Sequence, residues 1–175
     1  MLGPEVPYLS AIGALLYLTN NTRPDISFAV NVLARYSSKP TRRHWNGIKQ
    51  VFRYLCGTRD MGLYYQNDTK SNLIGYADAG YLSDPHKARS QSGYVFTYCG
   101  AAIAWQSIKQ TLTATFSNHA ELIALYEANR ECVWLRSMIQ NIQEECGLEN
   151  IKVIPTPLYE DNAACIAQIK EGYIK

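Results

Sequence analysis

The chain has 175 residues, 47% hydrophobic and 18% charged, with a net charge of +2. That make-up suits a folded domain with a sizeable core and excludes a disordered or strongly polyelectrolyte chain. No segment approaches the roughly 18 consecutive apolar residues of a membrane span, and the opening Met-Leu-Gly-Pro-Glu-Val-Pro lacks the basic start and apolar run of a signal peptide, so an intracellular protein of the cytoplasm or nucleus is expected.

The first third reads as helical. Tyr8 to Tyr17 is strongly apolar, and Pro24 suits the first turn of a second helix through Ile26, Val30, Leu33 and Tyr36. Thr41 is placed to cap a third helix ending before Gly57. Along that third helix, Arg42-Arg43-His44-Trp45 continues through Lys49, Arg53 and Tyr54, interleaving bases with aromatics. Such a face can grip a phosphate backbone. The ordinary alternative is a solvated surface with Trp45 and Tyr54 packed inward.

From Met61 the pattern changes to short runs that predict strands: Gly62 to Tyr65, Leu73 to Asp78, Gly93 to Cys99 and Ala101 to Ser107, with Gly100 at a tight hairpin turn. A long helix follows Ser117, a good N-cap residue. Leu125, Ala128, Cys132, Leu135, Ile139 and Ile142 recur at spacings of three and four as its core stripe. Cys146 to Pro155 reads as a loop, Thr156 to Asp161 as a strand and Asn162 to Ile169 as a helix, so the order is α/β with helices covering a mixed sheet. The five cysteines (Cys56, Cys99, Cys132, Cys146 and Cys165) are scattered without a Cys-x-x-Cys pair and are expected to be reduced packing residues.

Three acids stand in awkward places. Asp78 shares a strand face with Ile74 and Tyr76 by the two-residue alternation of a strand. Glu121 lies four residues before Leu125 and heads the apolar stripe of the long helix, although a helix N-terminus by itself favours a negative charge. Asp161 ends a strand, where α/β sheets bind ligands, or serves as a plain N-cap. If the three converge, they make a site for a divalent metal.

The wording around these acids resembles the RNase H region of copia-type retrotransposon Pol polyproteins. The matching runs are Tyr76-Ala77-Asp78-Ala79-Gly80, Lys87-Ala88-Arg89-Ser90-Gln91-Ser92-Gly93-Tyr94-Val95-Phe96, Ile103-Ala104-Trp105-Gln106-Ser107 with Lys109-Gln110, Ala120-Glu121-Leu122-Ile123-Ala124-Leu125, Val133-Trp134-Leu135-Arg136 and Tyr159-Glu160-Asp161-Asn162. Upstream, Tyr8 to Leu18, Thr22-Arg23-Pro24-Asp25-Ile26 and Tyr54-Leu55-Cys56-Gly57-Thr58 are similar to the stretch that joins polymerase to RNase H in those elements. The resemblance covers nearly the entire chain.

It implies a helical connection segment over residues 1–58 and an RNase H-like domain over 59–175, an α/β mixed sheet flanked by helices. Asp78, Glu121 and Asp161 take the places of catalytic, metal-holding carboxylates, with Lys87, Arg89 and Ser90 as contacts to the nucleic acid. The implied chemistry is cleavage of the RNA strand of RNA–DNA hybrids with Mg²⁺ or Mn²⁺. Two ions about 4 Å apart need hard, negatively charged oxygen ligands.

Two departures qualify this. RNase H sites use a fourth carboxylate on a further strand and helix, and the sequence stops at Glu171-Gly172-Tyr173-Ile174-Lys175, so a C-terminally truncated domain with weakly bound metal is expected. His119 stands where the family has another acid and is expected to face solvent, and Asp84 in Ser83-Asp84-Pro85 reads as a turn former. A polymerase needs its own aspartate pair, and no Asp-Asp dipeptide occurs, so nucleotide addition is excluded. The partners implied are the hybrid and the rest of the polyprotein. The alternative is a non-catalytic retroelement fragment repurposed as an interaction protein, for example a host-directed secreted effector.

Overall fold

Three helices form where the apolar spacing demands them: α1 (Tyr8–Asn21), α2 (Ser27–Ala34), entered through a 3-10 turn at Pro24–Ile26, and α3 (Arg42–Gly57). They belong to the first of two compact units, Met1–Tyr64, in a computed structural model that describes residues 3, 5–67, 72–84, 88–147 and 155–172. Tyr8, Ile12 and Leu15 recur every three or four residues on α1 and bury against Ile26 and Val30 on one side and Ile48 and Val51 of α3 on the other. Thr41 caps α3 as expected. Its Oγ1 accepts from His44 N, and His44 Nδ1 accepts from Thr41 N, a reciprocal box with histidine in the place usually held by glutamate.

The basic face of α3 divides. Trp45 packs against the core and His44 stacks on Tyr36 with ring centroids 3.9 Å apart, but Tyr54 does not pack inward. It is exposed beside the Arg23 guanidinium, 5.6 Å from its ring centroid. Arg23 itself is nearly buried. Its guanidinium forks onto both Asp25 carboxylate oxygens, at 3.0 and 2.7 Å, and also donates to the carbonyl and hydroxyl of Thr58 at the end of α3.

The second unit, Tyr65–Lys175, holds a four-stranded mixed sheet. Strands β1 (Ile74–Asp84), β2 (Arg89–Tyr98) and β3 (Ala101–Lys109) run antiparallel in sequence. β4 (Leu158–Tyr159) adds to β1 in parallel, giving the order β3-β2-β1-β4. Cys99 and Gly100, with φ of +53° and +82°, make the two-residue turn between β2 and β3, where positive φ at both positions matches the sheet twist. Gly62 to Tyr65 is not a strand: Tyr64 and Tyr65 are exposed, the Tyr65 hydroxyl donates to the Ala102 carbonyl of β3 at 2.9 Å, and the backbone tie to the sheet comes one residue later, where Gln66 N donates to Cys99 O. An aromatic run without a buried alternate face has nothing to hold it in a ladder.

Helix α4 (Ser117–Glu145) covers one face of the sheet and α5 (Ala163–Glu171) follows β4. Leu73, Ala77 and Phe96 bury against Ala128, Cys132 and Leu135, with Leu125 and Ile139 beside them. Ile142 is exposed, so the stripe ends one turn earlier than its spacing predicts, and Ser117 is the first helical residue, the N-cap being Phe116. Cys132 and Cys165 are buried packing residues as expected, whereas Cys56 and Cys146 are exposed thiols. No helix among the described residues is long and apolar enough to cross a membrane.

Candidate functional site

Small residues bring α4 close to the end of β1. Ala79 on β1, Ala114, and Ala120 and Ala124 on α4 form a buried cluster that offers no side chain beyond a methyl to hold the elements apart. The first turn of α4 is fastened twice more. Buried Gln110, just after β3, donates from Nε2 to Ser92 Oγ (3.0 Å) and to the Ala120 carbonyl (2.9 Å), and Asn118 Nδ2 donates to Gln168 Oε1 on α5 (2.8 Å). The residue after Ala120 is Glu121.

Strand alternation sets the other two acids. Gly75, Ala77 and Ala79 are buried toward α4, so Tyr76 and Asp78 lie on the opposite, open face of β1. Tyr76 pairs in register with Tyr159, and Asp161 follows two residues on. Asp161 is not the helix cap: Asn162 is, its Oδ1 accepting from Cys165 N at 2.9 Å. The structure thus brings Asp78, Glu121 and Asp161 together, with one carboxylate oxygen from each lying within 4.8 Å of the others.

The electrostatics of this arrangement are those of an anionic pocket. Glu121 is 7% exposed, and its pKa is raised to about 7, first by burial and then by the negative charges of Glu160, Asp78 and Asp161. The Ala79 backbone N–H hydrogen-bonds its carboxyl and opposes that rise. Its Oε2 is buried with no hydrogen-bond partner among the described residues. A buried carboxylate oxygen with no protein donor, facing two exposed carboxylates, is costly unless a cation or proton satisfies it. Three hard, anionic oxygens at this spacing fit Mg²⁺ or Mn²⁺ and suit soft thiophilic ions poorly.

The remaining candidates divide. Lys87 lies outside the described residues. Arg89 starts β2 and its guanidinium donates to the Thr111 carbonyl. Ser90 is fully buried, its Oγ accepting from Leu82 N at 3.2 Å, so it is an internal tie of the sheet and not a surface contact. Asp84 is no free turn former: it is a buried residue at the end of β1, paired in register with Arg89. His119 is half-buried, its Nδ1 accepting from Thr115 N at 3.4 Å, and is not among the converging ligands.

Sequence reasoning missed two residues. Gln110 gave no signal beyond its place in a matching run. Glu160 was visible as an acid directly before Asp161, and the alternation of a strand would have turned it toward α4. Burial first and the neighbouring acids next raise its pKa, Asn162 N donates to its Oε1 at 3.2 Å, and its Oε2 is buried without a hydrogen-bond partner among the described residues.

No family model and no solved structure matches the chain. It is similar to secreted RxLR effector protein 161 of Plasmopara viticola, at 45% identity over 131 residues, which are 75% of this chain and 92% of that protein. It is also similar to the retrovirus-related Pol polyprotein from transposon TNT 1-94 of Nicotiana tabacum, at 40% identity over 138 residues, or 79% of this chain and 10% of the polyprotein. The Pol polyprotein from transposon RE1 of Arabidopsis thaliana is 32% identical over 155 residues, 89% of this chain and 10% of the polyprotein.

Proposed function

This chain belongs to the Pol polyprotein family of copia-type retrotransposons, and we propose that it is a segment of such a polyprotein whose second unit is an RNase H-like domain that cleaves the RNA strand of RNA–DNA hybrids. The observation that carries the reading is the convergence of Asp78, Glu121 and Asp161, in which the buried Glu121 also has an oxygen without a hydrogen-bond partner among the described residues. Bound divalent ions would supply activation of a water and stabilisation of the leaving oxygen.

The chain's own residues provide the rest. Asp78 and Asp161 present oxygens from the open face of the sheet edge, and Glu121 presents one from the α4 side. Gln110 and Asn118 fix the first turn of α4, so the Glu121 carboxyl is held in place before any ligand arrives. Arg89, at the start of β2, and Lys87 are the remaining candidates for contacts to backbone phosphate.

Incubating the purified chain with a labelled RNA–DNA hybrid and Mg²⁺, beside an Asp78→Asn control, tests the proposal. Metal-dependent loss of the RNA strand, absent from the control, is expected. Cleavage no greater than in the control sinks it.

A second reading is favoured by one observation, the 45% match that spans 92% of a protein named as a secreted effector. In it the same fold persists as an interaction protein without catalysis. A folded chain that leaves the hybrid intact yet retains a defined protein partner supports this reading against the first.

A further inference from the structure

We infer that Glu160 is a fourth metal-binding carboxylate of this site, serving a second cation position on the α4 side of the sheet edge. The inference rests on the metal-site reading above and extends it to a residue that the converging triad does not include.

Strand geometry places it. Tyr159 stacks on Tyr76 with ring centroids 5.4 Å apart, so Tyr159 shares the open face of β1, the face of Asp78. Alternation then carries Asp161 to that same face and turns Glu160 to the other, where Glu121 projects from α4. The half-buried Glu160 is held there by Asn162 N, which donates to Oε1 at 3.2 Å and leaves Oε2 buried with no hydrogen-bond partner among the described residues. Glu121, only 7% exposed, has its own Oε2 in the same condition. Each of the two glutamates thus carries one buried carboxylate oxygen without a hydrogen-bond partner among the described residues.

The charges around them agree. The charged groups that bear most strongly on Glu121 are all acids, Glu160 ahead of Asp78 and Asp161. Such crowding is unfavourable without a compensating cation.

Stoichiometry gives the fourth acid a purpose. The three oxygens span up to 4.8 Å, more than the about 4.2 Å between opposite ligands of one ion at a metal–oxygen distance of about 2.1 Å, so the triad is wider than a single ion's shell. A pair of ions about 4 Å apart suits that width and leaves room for a further carboxylate ligand. With Glu160, four carboxylates match the four positive charges of two divalent ions.

The test titrates Mn²⁺ alone into the whole chain, followed by the electron paramagnetic resonance signal of free Mn²⁺, with far-ultraviolet circular dichroism to check folding. The wild-type chain is expected to bind two ions. Glu160→Gln should keep one within about threefold and bind the other about tenfold more weakly or not at all. Glu160→Asp, which keeps the charge, should bind both and guards against a folding defect of the amide variant. Two ions bound equally by the wild type and a folded Glu160→Gln overturn the inference while leaving the triad reading in place. No Mn²⁺ bound by the wild type, or binding unaltered by Asp78→Asn, overturns both.

Discussion

Tyr76 and Tyr159 face each other across the parallel β1–β4 pair, their rings 5.4 Å apart and 22° from parallel, and the residue two positions beyond each is an acid of the candidate site. The stack is thus a spacer that sets Asp78 and Asp161 side by side. β4 itself is only Leu158–Tyr159, so its hold on β1 depends on few contacts. Tyr159→Ala should cost about 1 kcal/mol of second-unit stability and weaken Mn²⁺ binding several-fold. Tyr126→Ala, at an exposed position on α4, should do neither. Urea unfolding with metal titration checks this, and unchanged affinity in Tyr159→Ala would show that β4 docks without the stack.

The raised pKa of Glu121 fixes the sign of a pH effect. Between its unfolded value of 4.5 and its folded value of about 7, the native state holds a proton that the unfolded chain has released. Stability of the metal-free second unit therefore falls as pH rises through that window, by an amount on the order of 2 kcal/mol. Glu160 acts in the same direction, since its pKa is also raised, and Asp78 and Asp161 are the other charges facing the group. Urea unfolding in EDTA at pH 5 and pH 8 should show the loss, Glu121→Gln should flatten most of it, and Mn²⁺ should restore stability at pH 8. A stability that rises from pH 5 to pH 8 in EDTA would contradict the assignment.

In the first unit the sign is opposite. The Arg23 hydrogen bonds hold the Asp25 carboxyl below its usual value of 3.8, so this contribution is present above that pH and is lost as pH falls through the depressed folded pKa. Arg23→Ala removes the guanidinium from the partly exposed Asp25 carboxylate and from the Thr58 carbonyl, which keeps only its bond from Met61 N, and should cost about 1–2 kcal/mol. Trp45, packed in this unit's core, reports the change by fluorescence. Asp25→Asn should lose less than Arg23→Ala and should remove the acid-side dependence.

Much of this was legible because local chemistry and burial agree. The Thr41 cap, the glycine of the β2–β3 turn and the alternating spacings of α4 each leave a mark on neighbouring residues. What escaped depends on partners distant in sequence. Ser90 looks like a polar surface residue until Leu82 N donates to it, Ile142 continues a helical stripe after the sheet beneath it has ended, and Gly62 to Tyr65 has strand composition without an alternating buried face. The three acids could be named one at a time from sequence, but their convergence requires the alanine contacts that draw α4 onto β1, and no spacing encodes those. Glu160 was hidden by its neighbour, since an acid next to a site acid reads as surface charge until strand alternation assigns it a face.

Gly75 links packing to the site. It pairs with Leu158 in the β1–β4 register and its N–H donates to the Pro157 carbonyl at 2.9 Å. A Cβ there would stand 2.5 Å from the Phe96 ring and 2.6 Å from Leu158 Cδ1. Phe96 is fully buried beneath α4 and has little room to move, so the yielding partner is Leu158, and with it β4. Gly75→Ala should therefore cost about 1–3 kcal/mol and displace Asp161 from Asp78, lowering Mn²⁺ affinity although no ligand is altered. Gly57→Ala, at the end of α3 where a Cβ meets nothing within 4 Å, is the matched control and should leave metal binding unchanged. If Gly75→Ala lowers stability yet binds Mn²⁺ as the wild type does, Asp161 is held in place by the Asn162 cap and α5 instead of by the β1–β4 pairing.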